Sequence, residues 1–175
     1  SVFVKKYGEE RDLSLLLVVD VSGSQRFGSQ FLVKRELAAE LSAVLAFSAV
    51  ANQDRVGALF FSDRVEGFVP PGRGHDHALR IVRDLLALEP VGRGTDLAAA
   101  LRFARQVMKR RGIVTVISDF QDDGYQQALG ILRRRHDVIA LQLWDPREEH
   151  LPSAGLVALA DPESGEVRVV DTADP

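Results

Sequence analysis

Leu13 to Ser24, LSLLLVVDVSGS, limits what this chain can fold into more than any other stretch. Val18, Val19 and the leucines before them have the composition of a strand covered on both faces. The apolar run stops at an acid, Asp20, and Ser22, Gly23 and Ser24 follow. An acid at the C-terminal end of such a strand stands in the crevice where open α/β sheets take up ligands. Hydroxyls at alternate positions after it add oxygen donors to the same loop.

The chain downstream repeats the pattern of short apolar run and helix. After a loop from Gln25 to Gln30, Leu37, Leu41, Val44, Leu45 and Phe47 recur at helical spacing and predict a long helix from Phe31 to Ala51 with a broad buried face. Val56 to Phe61 reads as a second buried strand, and Val65 to Val69 as a short strand paired with it in a hairpin. Pro70 and Pro71 end that strand, as at a sheet edge. Asp76 is placed to cap a helix from His77 to Leu88. Thr95 or Asp96 starts another, through Leu97, Leu101, Ala104 and Met108. Ile113 to Ile117 is a third buried strand and also ends in acid, at Asp119. A helix over Tyr125 to Arg135 and a buried strand over Val138 to Leu143 follow, leading into Trp144 and Asp145. Leu156 to Leu159 and Val167 to Val170 flank the turn Asp161 to Gly165 as a last hairpin. Strand and helix alternate almost throughout, which predicts an α/β fold: a mostly parallel, doubly wound sheet with helices on both faces.

Composition removes several classes of function. The 175 residues fit one domain with a sizeable core, and 46% hydrophobic content is incompatible with a disordered chain. With no cysteine, disulfide frameworks and thiolate metal sites are excluded. A net charge of −3 makes no global electrostatic case for nucleic acid. The apolar runs are far too short to cross a bilayer. Ser1 to Lys5 opens abruptly, so the expectation is a single domain over residues 1–175 excised from a longer protein.

Three loops share a chemistry. Asp20 with Ser22 and Ser24, Thr95 with Asp96, and Asp119 all lie at strand ends or helix starts. In a parallel sheet the C-terminal strand ends share one edge, so Asp20 and Asp119 can converge there, with the Thr95 loop folded over them. Taken singly, each has an ordinary role as a helix cap, a turn or a strand-end acid. Taken together, two carboxylates and three hydroxyls make an all-oxygen site suited to Mg²⁺ or Mn²⁺ rather than zinc.

These residues resemble a known family. Asp20-Val21-Ser22-Gly23-Ser24 fits the D-x-S-x-S signature of von Willebrand factor A (vWA) domains, and Gly94-Thr95 and Ser118-Asp119 fall where that family has its separate threonine and aspartate. Arg55-Val56-Gly57, Phe61-Ser62-Asp63, Gly94-Thr95-Asp96-Leu97, Ser118-Asp119-Phe120, Arg135-His136-Asp137-Val138 and Asp161-Pro162-Glu163-Ser164-Gly165 are similar to the bacterial DUF58 subgroup. The resemblance implies a Rossmann-like sheet in the order 3-2-1-4-5, with Val65 to Val69 as its antiparallel edge strand. It also implies a metal-ion-dependent adhesion site (MIDAS) formed by Asp20, Ser22, Ser24, Thr95 and Asp119, holding Mg²⁺ or Mn²⁺. Neutral hydroxyl ligands leave such an ion electrophilic, so a carboxylate from a partner protein can complete its shell. The family further implies a MoxR-type AAA+ ATPase, or its client, as partner. It places the domain at the cytoplasmic face of the membrane, held there by parts this chain lacks.

Competing readings are set aside on residues. A Mg²⁺-dependent phosphoryl-transfer hydrolase with Asp20 as nucleophile needs a second aspartate two positions on as acid and base; Ser22 stands there, so no enzyme is expected. His75 and His77 form an H-x-H pair without further zinc ligands, and His136 and His150 are expected at the surface. Lys109 to Arg111 and Arg133 to Arg135 end predicted helices, where cations complement the dipole. Asp122 and Asp123 either add negative potential near the metal or lie in a solvated loop, and Asp96 is expected to cap its helix and orient Thr95.

Overall fold

The structure is a computed structural model that describes residues 13–22, 28–144, 156–160 and 167–171; for 28–33 and the last two segments it describes the backbone alone. Five strands form one sheet in the order β3-β2-β1-β4-β5. They are β1 (Ser14–Asp20), β2 (Arg55–Phe61), β3 (Val65–Gly72), β4 (Ile113–Ser118) and β5 (Asp137–Gln142). β1 pairs parallel with both β2 and β4, β4 parallel with β5, and only β3 runs antiparallel, at the edge beside β2. This is the expected doubly wound α/β sheet, strand order included. β6 (Leu156–Ala160) and β7 (Val167–Asp171) pair as a separate antiparallel hairpin, and its turn lies outside the described residues.

Because side chains alternate along a strand, β1 supplies two cores. Leu17 and Val19 meet Ala58 and Phe60 of β2 under helices α1 (Gly28–Ala51) and α2 (His75–Ala87). Leu16 and Val18 meet Leu59, Phe61, Val114 and Val116 under α3 (Leu97–Val107) and α4 (Gln126–Arg133). From Leu16 to Asp20 every residue of β1 is buried, which is why this strand reads as a continuous apolar run.

Four local expectations need correction. α1 starts at Gly28, inside the expected loop, and packs through small residues: Ala38, Ser42, Ala46 and Ala49 are buried, whereas Leu37 and Val44 are exposed. A four-residue stripe of alanine and serine lets the helix lie close to the sheet, so the larger apolar residues fall on its flanks. β5 is mostly exposed rather than buried, since it is the last strand of the sheet. Pro70 and Pro71 lie inside β3, not beyond it. The edge position spares Pro71 its missing N–H, and the register shifts between Val56 and Ala58, where a Cβ on Gly57 would stand 2.8 Å from the Pro71 nitrogen. Finally, α2 begins beyond Gly74 with no side-chain cap among the described residues, and Asp76 lies in the first turn, where its charge complements the helix dipole.

Candidate metal centre

Asp20 is the last residue of β1, between Phe61 of β2 and the end of β4. Its Oδ2 accepts the Ser118 hydroxyl at 2.6 Å, and its Oδ1 accepts the Ser22 backbone N–H at 2.9 Å. Ser118 also accepts the Phe120 N–H at 3.1 Å, so one hydroxyl joins Asp20 to the chain turn after β4. That turn is sharp: Phe120 has φ 58, a left-handed conformation uncommon outside glycine. Asp119 caps its own turn by accepting the Gln121 N–H at 3.2 Å. Sequence position alone would make Asp20 and Asp119 two ordinary strand-end acids; the β1–β4 pairing makes them neighbours.

Both carboxylates are interior. Asp20 is 1% and Asp119 5% exposed, Ser22 and Ser118 are buried beside them, and Lys34 of α1, 6% exposed, brings its Nζ to 3.9 Å from Asp119 Oδ2. Burial pushes the Asp20 carboxyl above the usual carboxylate range, and the negative charge of Asp119 adds to the effect. Hydrogen bonds from Ser118 and Ser22 oppose it but do not win. Two buried carboxylates side by side are costly without a positive charge between them.

Thr95 reaches this edge from the other side. Asp96 N–H donates to the Ser62 carbonyl at 2.9 Å, and Ser62 directly follows Phe61, the β2 partner of Asp20. The loop before Thr95 is clamped by Glu66 of β3, which accepts the Ser62 hydroxyl at 2.5 Å and the N–H groups of Gly92 at 2.6 Å and Val91 at 3.1 Å. Burial raises the Glu66 carboxyl, yet these hydrogen bonds outweigh it and hold the group below its ordinary range. Gly92 has to be glycine here, because a Cβ would run into Ser62, Asp63 and Glu66. After the loop, Asp96 caps α3 by accepting the Ala99 N–H at 2.7 Å, as expected, and Asp122 accepts the Leu97 N–H at 2.8 Å.

The structure thus brings Asp20, Ser22 and Asp119 together and carries Thr95 to the same edge; Ser24 lies outside the described residues, as do Asp145 and His150. Three contributors were not read from sequence. Ser118 enters the sequence pattern only as a neighbour of Asp119, and Glu66 carries no local signal for the clamp because the N–H groups it accepts belong to residues 25 and 26 positions away. Lys34 could have been found: it continues the Ala38, Ser42, Ala46 stripe one helical turn back. The remaining histidines have local roles. His77 Nε2 donates to the Val56 carbonyl at 2.8 Å, and His75 stacks on Phe47 with ring centroids 5.0 Å apart. His136, expected at the surface, is buried at 2% exposure where the chain enters β5.

Among the described residues no three His, Cys, Asp or Glu side chains group as a metal site. The donors here are of another kind, two carboxylates with hydroxyls and no nitrogen or sulfur. Hard oxygen donors around a buried negative pair fit Mg²⁺ or Mn²⁺, whose charge would offset the burial that raises Asp20. No described helix is long and apolar enough to cross a membrane.

Comparison with known proteins agrees with this architecture. The family described as "Protein of unknown function DUF58" matches residues 1–175. An uncharacterized protein of Mycobacterium tuberculosis is 35% identical over 168 residues, 94% of this chain and 53% of that protein. This chain therefore spans about half the length of the curated relatives it matches. An aerotolerance-related membrane protein from Bacteroides fragilis superimposes with TM-score 0.66 at 20% identity, over 91% of this chain and 82% of that one. The vWF domain of the type V pili tip protein Mfa5 from Porphyromonas gingivalis does so with TM-score 0.52 at 16% identity, over 61% and 37%. At these identities the two structures speak for a vWA-like fold.

Proposed function

The chain belongs to the DUF58 family, and on that premise we propose that it is a metal-ion-dependent protein-interaction module. Asp20, Ser22, Thr95 and Asp119, with Ser24 completing the D-x-S-x-S motif, hold Mg²⁺ or Mn²⁺. Bound there, the ion would supply an electrophilic point at this sheet edge for a carboxylate from a partner protein. Ser118 holds Asp20 in place, and the Glu66 clamp holds the Thr95 loop. A MoxR-type AAA+ ATPase or its client is the partner in this reading, and the domain works at the cytoplasmic face of the membrane within its full-length protein. The chemistry is docking, without turnover of substrate.

The observation that carries the reading is the burial of Asp20 and Asp119 side by side at the C-terminal sheet edge, with hydroxyls as the companions. Such a pair has a use if a divalent cation belongs with it. Isothermal titration calorimetry with Mg²⁺ and Mn²⁺ on the wild type and on Asp20→Ala tests this directly. The wild type should bind one ion and Asp20→Ala none, with thermal stability rising on addition of metal and falling back in EDTA. At a free metal concentration one hundred times Kd, linkage gives about 2.7 kcal/mol of added stability. A wild type that takes up neither ion, or an Asp20→Ala variant that binds as well, sinks the proposal.

A further inference from the structure

Three charged side chains are buried among the described residues, and they lie at one place: Asp20, Asp119 and Lys34. Every described arginine and every other described lysine is more exposed. A buried ammonium is stable only where negative charge faces it, and the Lys34 Nζ stands 3.9 Å from Asp119 Oδ2. That separation is an ion pair and too long for a hydrogen bond. Lys34 reaches inward because it sits one turn before Ala38 on the small-residue stripe by which α1 lies against the sheet. No described cation other than Lys34 is buried with this carboxylate pair.

We propose that Lys34 is the built-in counter-cation of the metal-free centre and that a divalent ion and the Lys34 ammonium compete for the same carboxylates. The inference rests on the metal reading given above and adds its regulation. Two carboxylates and one ammonium leave one net negative charge, enough to attract a cation and too little to hold one as tightly as the bare pair would. The four-carbon stem of lysine lets the head withdraw when an ion arrives, whereas an arginine fork at this position would stay engaged. Lys34 thus sets the metal affinity downwards and keeps the metal-free fold intact, so the centre can load and unload.

The test compares Lys34→Met with the wild type, using Mn²⁺ alone as the probe in calorimetric titration. Removing a positive charge a few ångströms from the ion should tighten Mn²⁺ binding by about tenfold or more. In EDTA the same variant should melt at a lower temperature, and added Mn²⁺ should restore more stability to it than to the wild type. Lys34→Gln, with a neutral polar head, serves where the methionine is poorly tolerated and should behave alike. A double-mutant cycle of Lys34→Met with Asp119→Asn, measured by urea unfolding in EDTA, should give a favourable Lys34–Asp119 coupling without any metal. Wild-type Mn²⁺ binding with unchanged or weaker affinity in both Lys34 variants overturns the exchange and leaves the metal reading standing. So does a cycle with zero coupling. Failure of all three proteins to bind Mn²⁺ overturns the metal reading and the exchange together.

Discussion

At the scale of single residues, Ser118 has the most distinctive position, because it acts on the centre through another side chain. Its hydroxyl donates to Asp20 and receives the Phe120 N–H, so it ties the last residue of β1 to the turn after β4. Ser118→Ala removes the 2.6 Å hydrogen bond to Asp20 Oδ2 and leaves those from Ser22. Calorimetry should record a loss of metal affinity of about tenfold to a hundredfold, the range for partners that orient a metal ligand. The far-ultraviolet circular dichroism spectrum should not change, since β1 and β4 pair through their backbones and not through this side chain. Thr95→Ala belongs beside it: if Thr95 contributes its hydroxyl to the ion, metal-dependent pull-down of a partner should weaken in that variant too. Asp20, Ser22, Thr95 and Asp119 were all legible as candidates in the sequence, since strand-end acids, a D-x-S-x-S motif and a threonine at a helix start are local patterns. Ser118 was not, because a serine at a strand end has no meaning until the strand beside it is known.

At the scale of elements, the β2–β3 hairpin positions the Thr95 loop. Glu66 accepts from the Val91 and Gly92 N–H groups and from Ser62, which in turn receives the Asp96 N–H. Glu66→Ala leaves these donors without their acceptor and should cost about 1–3 kcal/mol by urea unfolding, with metal affinity falling alongside. The clamp has a pH dependence of known sign. Its folded carboxyl lies below the ordinary value of 4.5, so the contribution is complete above about pH 4.5 and is lost as pH falls through the folded value. Glu66→Gln should therefore flatten stability in the acid limb relative to the wild type. The same hairpin depends on Gly57, where a methyl group would press on the β3 backbone at 2.8 Å. Gly57→Ala should destabilise by about 1–3 kcal/mol, read from the urea midpoint at unchanged slope. The hairpin itself was expected from the spacing of its strands, but its reach to residues 91–96 was not.

At the scale of the whole molecule, the two cores share β1 as their centre, and the far end of the sheet holds a pH-sensitive group of its own. His136 is buried, and neither ring nitrogen has a hydrogen-bond partner among the described residues. Burial first, and the charge of Arg135 second, push its pKa below the ordinary 6.5, while Asp137 opposes them. A histidine held neutral in the folded state binds its proton more readily when unfolded. Stability from this group is therefore complete above about pH 6.5 and declines as pH falls below that value towards the folded pKa. Urea midpoints should drop between pH 7.5 and pH 5.5 in the wild type, and the drop should shrink in His136→Leu. An equal drop in both proteins would remove His136 as the cause.

What the sequence determined by itself is whatever depends on short range. Buried strands announce themselves as apolar runs, and the alternation of strand and helix leads to the doubly wound sheet that the structure has, with the strand order implied by the resemblance. The acids at the ends of β1 and β4 were identified on the same basis. Tertiary structure decided what depends on distance along the chain. The large leucines of α1 marked its expected buried face, yet close approach of helix to sheet favours Ala38, Ser42 and Ala46, and so carries Lys34 inside. β5 looked like a core strand, but only the sheet order shows that it lies at an edge. The same order brings Asp20 within 2.6 Å of Ser118, 98 residues away. Sequence proposes the ligands because their types and local spacing are written in it; pairing of β1 with β4 makes Asp20 and Asp119 neighbours, and the end of β2 carries the Thr95 loop to the same edge.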